Sequence, residues 1–244
     1  MIYQLEHKTV LVTGANRGIG LAFVEALLAR GVEKVIATTR DLANAEALSA
    51  LSSKVEVRVL DITNPTSIAA LVQTLPKLDF LINNAGIASA STFSAASAPD
   101  VAADEMRTNY LGTLAITHAL LPLLQQSSAA AIMTISSIAG LANFPPLGPY
   151  SAAKAAVHFM TQGLRAELKA AGIAVVGVYP GPTDTRLAPG PQPKAQPLDV
   201  ANASLDALEA GLEDVFPDAF SAHMSGVFQH NPKALEQQFS AMLG

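Results

Sequence analysis

A glycine-rich turn between a predicted strand and a predicted helix constrains the fold of this chain more than any other feature. Residues 8–13 form a short β-branched run, which predicts a buried strand. The turn at 14–20 has the spacing G-x-x-x-G-x-G, and a helical pattern at 21–30 follows it. Glycines let the backbone approach a pyrophosphate, and the helix N-terminus supplies N–H donors. This context favours a nucleotide site over a plain tight turn.

Strand and helix signals alternate along most of the chain. They predict one α/β domain over residues 1–244, with a doubly wound Rossmann-type parallel sheet flanked by helices on both faces. The later predicted strands are 33–39, 55–60, 78–82, 130–135 and 173–179, with 213–216 as a short last candidate. The predicted helices are 100–108 and 110–124 with Asn109 between them, 150–172, 199–210 and 232–243.

Charge and composition exclude several classes of protein. The net charge of −5 argues against a nucleic-acid surface. The chain has no cysteine, so disulfides and cysteine ligands or nucleophiles are excluded, and its five scattered histidines lead us to expect no metal site. The longest uncharged run, 108–153, is broken by prolines, and the first residues lack a signal-peptide layout. We therefore expect no membrane span and a cytoplasmic location.

The end of the second strand carries charges of both signs. Arg40 and Asp41 lie about 20 positions past the glycine turn, where an acid holds the ribose hydroxyls of NAD and an arginine suits the 2′-phosphate of NADP. Arg17 inside the turn would add a second positive charge. Because arginine matches phosphate geometry, we favour NADP(H) over NAD(H). The alternative is that both arginines are solvated and Asp41 caps the next helix.

Two later strand ends add candidate contacts. Asp61 follows the third strand, where it would accept from an adenine amino group or would cap the helix that begins near Pro65. The fourth strand ends in Asn83-Asn84-Ala85-Gly86, whose small residues leave room for a ligand across the sheet.

Tyr150 and Lys154 are the strongest catalytic candidates. A spacing of four places the phenol and the ammonium on one helix face. A nearby cation lowers the pKa of a phenol, which brings a proton shuttle closer to neutral pH. This spacing is common by chance, but Ser137 and the glycine turn upstream favour the functional interpretation.

The order of these motifs, followed by Pro180-Gly181, resembles that of the short-chain dehydrogenase/reductase family. The resemblance covers about residues 8–185, and the motifs are specific in combination. The glycine spacing and the chain length look like the compact single-domain members rather than the sugar-nucleotide epimerases. The pair Arg17 and Arg40 is similar to that of NADP-preferring carbonyl reductases.

The resemblance implies a role for each motif. Tyr150 would be the general acid in carbonyl reduction, Lys154 would lower its pKa and bind the nicotinamide ribose, and Ser137 would hold the substrate oxygen. Asn109 would sustain a water-linked proton relay from Lys154. The implied cofactor contacts are Gly14, Asn16, Arg17, Gly18, Ile19, Gly20, Arg40, Asp61, Ile62, Asn83, Ala85, Gly86, Tyr150, Lys154, Pro180, Gly181, Thr183 and Thr185.

Two segments bear on substrate and assembly. Residues 186–197 hold four prolines and a glycine, which predicts either a lid loop or a plain connector. The tail at 211–244 lacks the glycine-rich pattern with which many compact members pack at subunit contacts. The nearly uncharged helices 110–124 and 150–172 form a subunit interface in this family, so the resemblance implies a homodimer or homotetramer. Burial within one monomer is the alternative.

Three functional hypotheses follow. The first is NADPH-dependent, reversible reduction of an aldehyde or ketone, with an apolar carbonyl or alcohol substrate because Leu141, Phe144 and residues 145–147 flank the catalytic candidates. The second is an NAD-dependent alcohol or hydroxysteroid-type dehydrogenase. The third is a low-turnover nucleotide-binding regulatory protein on the same fold. A complete set of Asn109, Ser137, Tyr150 and Lys154 argues against the third.

Overall fold

A seven-stranded parallel sheet forms the centre of the molecule. The computed structural model describes residues 3–41, 45–190 and 192–243. The strand order is β3-β2-β1-β4-β5-β6-β7, and every neighbouring pair is parallel. The predicted doubly wound sheet is confirmed, including its short last strand. The strands are β1 Thr9–Val12, β2 Lys34–Thr39, β3 Val55–Val59, β4 Phe80–Asn83, β5 Ala131–Ile135, β6 Ala174–Val178 and β7 Asp214–Val215.

Helices cover both faces of the sheet because successive strand residues point to opposite sides. On β1, Val10 and Val12 belong to one apolar core and Leu11 belongs to the other. Within the described residues, no helix is both long and apolar enough to cross a membrane. The helices are α1 Gly18–Ala29, α2 Ala45–Ser49, α3 Pro65–Gln73, α4 Ala98–Glu105, α5 Thr113–Leu124, α6 Gly148–Leu168, α7 Pro197–Glu209, α8 Ala219–His230 and α9 Pro232–Ser240.

The connection order reverses between β1 and β4, which pair side by side in the middle of the sheet. From β1 the chain continues to β2 and β3 on one side, and from β4 it continues to β5, β6 and β7 on the other. A crevice forms outside the carboxyl ends of the strands at such a reversal. The glycine turn and residues 84–86 both begin there.

The predicted break between two helices at Asn109 is wrong. A π-helix, Met106–Gly112, joins α4 directly to α5, and Asn109 lies buried within it. Gly112 is required at the end of this segment because a Cβ there would lie 2.9 Å from Cγ1 of Ile62. Short π-helical segments inside α-helices are frequent at functional sites.

The tail from residue 211 to 243 folds back onto the body of the molecule. The helix predicted at 232–243 is observed as α9 and a final 3₁₀ turn, Ala241–Leu243, whereas α8 was not predicted. Met224, Leu235 and Phe239 of the tail pack with Ile138, which follows β5. The tail is therefore fixed beside the segment that carries Ser137.

Candidate active site

The glycine turn after β1 is a narrow cradle that side chains would fill. Gly14 and Gly18 have φ values of +64° and +55°, a region that residues with side chains rarely adopt. A Cβ on Gly20 would overlap the Gly14 carbonyl oxygen and would lie 2.5 Å from Nδ2 of Asn84. Because α1 begins at Gly18, its first unpaired N–H groups lie at this turn. The arrangement fits the pyrophosphate of a dinucleotide.

Asn84, rather than the predicted Asn83, joins the end of β4 to the glycine turn. Nδ2 of Asn84 donates to the carbonyl oxygens of Thr13 at 2.9 Å and Gly14 at 3.1 Å. The Asn83 side chain instead donates to Oγ1 of Thr117 on α5 at 2.8 Å, inside the core. The Asn84 side chain therefore lies at the cleft, and the cofactor contact at Asn83 stays a prediction.

The glycine-turn cavity, of about 670 Å³, lies at the carboxyl ends of β1 to β4. Its walls contain most of the predicted cofactor contacts, which confirms that residues far apart in sequence meet there. The predicted residues in its lining are Gly14, Asn16, Arg17, Gly18, Ile19, Gly20, Arg40, Asp61, Ile62, Ala85, Gly86 and Thr185.

The lining of this cavity includes side chains of both charges. Arg17, Arg40 and Asp41 are exposed and line the cavity together. Asp61 accepts from the N–H of Thr63 at 2.9 Å and from its hydroxyl at 2.7 Å. These bonds, aided by the charge of Arg40, hold the pKa of Asp61 below its usual value.

The alternative role of Asp61 as a helix cap is wrong. The residue that caps α3 is Asn64, whose side chain accepts from the N–H groups of the residues two and three positions later. The Asp61 carboxylate therefore does not bond the end of the helix, and Asp61 lines the cavity. The other alternative, that Asp41 caps the next helix, depends on residues 42–44, which lie outside the described part of the chain.

A second cavity of about 670 Å³, the Tyr150 cavity, continues from the first. Gly86, Ile87 and Thr185 line both, so the two form one cleft. The walls of the Tyr150 cavity are mainly apolar. Its predicted polar or motif residues are Ser137, Tyr150, Lys154, Pro180, Gly181, Thr183 and Thr185, and its apolar walls include Phe144, Pro146, Leu147, Leu187, Phe220, Phe239 and Met242.

Ser137, Tyr150 and Lys154 meet on one wall of this cavity. Burial raises the pKa of Tyr150 to about 12, and the nearby Ser137 side chain opposes that rise. The Lys154 ammonium lies 5.7 Å from the centre of the Tyr150 ring and donates to the Ile135 carbonyl oxygen at 2.8 Å. Burial lowers the pKa of Lys154 to about 8. Burial is the largest influence on the pKa of Tyr150, and the negative charge of Glu105 raises it further.

Asn109 contacts the wall of the cavity from behind. Its Oδ1 accepts from the N–H of Ile87 at 2.8 Å, and its Nδ2 donates to the carbonyl oxygen of Ile87 at 2.9 Å. Gly86 must be glycine here, since a Cβ would lie 2.9 Å from Oδ1 of Asn109 and 3.7 Å from Nζ of Lys154. Both polar atoms of the Asn109 side chain thus bond to the backbone of Ile87.

Sequence reasoning missed the residues that the tail and the loops bring to the cleft. Phe220, Phe239 and Met242 come from the tail, where apolar periodicity indicates a helix but not its partner. Arg186 lines both cavities, and the residues after it continue along the Tyr150 cavity. Residues 186–189 and 192 therefore line the cleft, and a lid function for this segment stays a prediction.

Comparisons with known proteins agree with this geometry. The family model of short chain dehydrogenases matches residues 8–195. A protein of Staphylococcus saprophyticus named an uncharacterized oxidoreductase is 36% identical over 221 residues, covering 84% of this chain and 93% of its own length.

Two solved structures carry more information. A short chain dehydrogenase from Burkholderia cenocepacia in complex with NADP is 36% identical, with a TM-score of 0.90 over 97% of this chain and 99% of that one. An NADPH-bound carbonyl reductase from chicken fatty liver is 30% identical, with a TM-score of 0.78 over 85% of this chain and 89% of that one.

Proposed function

The chain belongs to the short-chain dehydrogenase family of NAD(P)-dependent oxidoreductases, and on that premise we propose that it reduces an aldehyde or ketone to the alcohol with NADPH. The observation that carries this proposal is the meeting of Ser137, Tyr150 and Lys154 on the wall of an apolar cavity that opens into the glycine-turn cavity. A carbonyl carbon between them would be in reach of both a nicotinamide ring and two hydroxyl groups.

The residues present fit a dinucleotide. The glycine turn offers backbone donors in a cradle that a Cβ on Gly20 would fill, and Asp61 lies where an adenosine would extend. The bound cofactor would supply the hydride. Gly14, Gly18 and Gly20 would surround its pyrophosphate, and Thr183 and Thr185 would meet the nicotinamide end.

The protein's own contribution is to stabilise charge on the carbonyl oxygen. Hydroxyl groups of Ser137 and Tyr150, aimed at that oxygen, stabilise the transition state more than the ground state. Tyr150 donates the proton that completes the alcohol, and in the reverse direction it removes that proton. Lys154 holds a positive charge beside the ring, which favours proton loss from Tyr150 as the alcohol forms.

Arginines support NADP as the cofactor. Arg17 and Arg40 are exposed at the end of the cavity where a 2′-phosphate would lie, and a guanidinium binds phosphate through two donors. Two structurally similar proteins are named with NADP or NADPH. Asp41 lines the same cavity and favours the alternative, an NAD-dependent alcohol or hydroxysteroid-type dehydrogenase. Measuring turnover with each cofactor separates the two.

The walls of the Tyr150 cavity support an apolar substrate. Phe144, Phe220, Phe239 and Met242 come from two separate parts of the chain and enclose the space in front of Ser137. Apart from Lys154 and the exposed Arg186, no charged side chain belongs to the described lining. Binding of an apolar aldehyde or ketone would bury this surface, and burial of apolar surface is favourable by about 25 cal/mol per Å².

Exposed apolar residues on two helices support a homodimer or homotetramer. Leu111 lies near the end of the π-helix and Leu114 in the first turn of α5, and both are exposed. Phe159 of α6 is 71% exposed. Large exposed apolar side chains grouped on neighbouring elements are typical of interaction sites. Light scattering would test this part of the proposal, and a monomer at micromolar concentration would contradict it.

A further inference from the structure

Glu105 is a buried acid behind the active-site wall. It is the last residue of α4, and its side chain is fully enclosed, with a relative exposure of 0%. Oε1 accepts from the backbone N–H of Ser89 at 2.7 Å. Oε2 is buried and has no hydrogen-bond partner among the described residues. A buried carboxylate is costly unless it is paired or compensated.

Glu105 and Asn109 hold the same stretch of the cavity wall. Asn109 binds both polar groups of the Ile87 backbone, and Glu105 binds the N–H two residues later, at Ser89. The side chains at 87, 88 and 90 line the Tyr150 cavity. Two side chains from successive helical turns therefore fix this stretch, residues 87–90, from behind.

The charge of Glu105 is compensated across the wall by Lys154. Lys154 is also buried, at 6% exposure, and the only described hydrogen bond of its ammonium goes to a neutral carbonyl oxygen, that of Ile135. Burial lowers the pKa of Lys154 to about 8, and the charge of Glu105 opposes that fall. Burial likewise raises the pKa of Glu105, and the Ser89 N–H and the charge of Lys154 oppose that rise. Each buried charge is thus favoured by the other.

We propose that Glu105 is a positioning residue of this active site, which fixes residues 87–90 through one oxygen and keeps the Lys154 ammonium charged through its own negative charge. The effect of Glu105 on catalysis rests on the proposed function. The electrostatic pair can be measured without turnover.

The groups that face Lys154 come from four elements. They are Glu105 from α4, Asn109 from the π-helix, the Ile135 carbonyl from β5 and Tyr150 from α6 itself. Of these, Glu105 and Tyr150 titrate. Asp104, next to Glu105, is exposed and paired with Arg107, so it serves as a matched control.

Glu105→Gln removes the charge but keeps the size and an acceptor for the Ser89 N–H. The titration of Lys154 is followed by the NMR chemical shift of ¹³C-labelled lysine Cε, with the signal assigned by its loss in Lys154→Arg. Its midpoint is expected to fall by about half a pH unit or more in Glu105→Gln and to stay unchanged in Asp104→Asn. Equal midpoints in wild type and Glu105→Gln would overturn the proposal.

If Glu105 affects the pKa of Lys154, then Lys154 must affect the pKa of Glu105. This provides a second measurement that does not depend on the folding of Glu105→Gln. Loss of the cation in Lys154→Met should move the titration of the Glu105 carboxyl carbon to higher pH than in wild type. An unchanged midpoint would refute the pairing of the two charges.

The positioning role has its own readout in the pH profile of carbonyl reduction. In Glu105→Gln, the alkaline limb should move to lower pH, because Lys154 and Tyr150 both lose protons more readily without the nearby negative charge. Glu105→Asp keeps the charge but withdraws from Ser89, so it should keep the limb and raise the KM for the carbonyl. Absence of turnover in the wild type would contradict the proposed function. If the wild type is active and both Glu105→Gln and Glu105→Asp have the wild-type pH profile and KM, only this inference is contradicted.

Discussion

The ammonium of Lys154 lies over the ring of Tyr150, 5.7 Å from its centre, and donates to the Ile135 backbone at 2.8 Å rather than to the phenol oxygen. The pair spaced four residues apart on α6 therefore interacts through charge and not through a direct hydrogen bond. Burial acts on both members, since it lowers the pKa of Lys154 to about 8 and raises that of Tyr150 to about 12.

The first prediction concerns pH. Lys154 is charged below a pH of about 8 and loses its proton as the pH rises through that value, so kcat/KM for carbonyl reduction should fall there. This parameter reports groups of the free enzyme. Arginine stays protonated, so Lys154→Arg should lower the maximum and move the alkaline limb well above pH 8. An alkaline limb at the same pH in wild type and Lys154→Arg would mean that another group causes the fall in kcat/KM.

Tyr150→Phe tests the proton donor. We expect kcat to fall by about 10²–10⁴-fold, the usual contribution of a general acid, with the Kd for NADPH unchanged. Steady-state kinetics and cofactor fluorescence measure the two effects. Tyr3→Phe is the matched control because it removes a hydroxyl that bonds Asp79, far from the cleft. Near-normal turnover in Tyr150→Phe would remove this residue from its role.

Arg40→Asp tests the cofactor preference. Loss of a charge-assisted hydrogen bond to the 2′-phosphate costs about 1.5–3 kcal/mol, so kcat/KM for NADPH should fall by about 10–100-fold while that for NADH holds or rises. Lys77→Asp, which makes the same charge change at an exposed residue paired with Glu33, should leave the ratio unchanged. An unaltered ratio in Arg40→Asp would place phosphate recognition elsewhere.

The glycine cradle makes a prediction about space alone. Gly20→Ala places a Cβ against Gly14 and Asn84, so it should abolish detectable dinucleotide binding or the fold of the turn. Gly226→Ala has open space around it in α8 and should stabilise the protein by about 0.4–1 kcal/mol. Calorimetric binding and thermal unfolding of both variants check the contrast. Normal binding by Gly20→Ala would show that the pyrophosphate does not lie at the turn.

The tail makes a prediction about substrate. Met242 and Leu243 are both exposed, but only Met242 lines the Tyr150 cavity. Met242→Ala should lower kcat/KM for bulky apolar carbonyls by about 5-fold or more, with little effect on small ones, because apolar contact is worth about 1–3 kcal/mol per group. Leu243→Ala should match wild type. Equal losses in both variants would mean that the tail acts on the fold and not on the substrate.

Much of the site could be predicted because its signals are local. The strand before Gly14, the spacing of the glycines and the pair Tyr150 and Lys154 each depend on a few consecutive residues. A parallel sheet then brings the ends of its strands to one edge without further information. The meeting of Arg40, Asp61 and Gly86 in one cavity followed from that rule.

What escaped prediction depends on packing between distant segments. The π-helix around Asn109 forms against Ile62 and Ile87, which no local pattern reveals. Asn83 and Asn84 are chemically identical, and only the alternation of side chains along β4 sends one into the core and the other to the cleft. Phe239 reaches the cavity because α9 packs beside Ile138, about a hundred positions away.

The most direct test of the account is the rate of reduced-cofactor consumption with NADPH and NADH in parallel, against aliphatic, aromatic and cyclic carbonyls. The account predicts turnover of apolar aldehydes or ketones with NADPH, and much slower turnover with NADH. Turnover with NADH alone would contradict the assignment of Arg17 and Arg40 to a phosphate. Tight binding of NADPH without turnover of any carbonyl would contradict the proposed reductase itself and would support a regulatory protein on this fold.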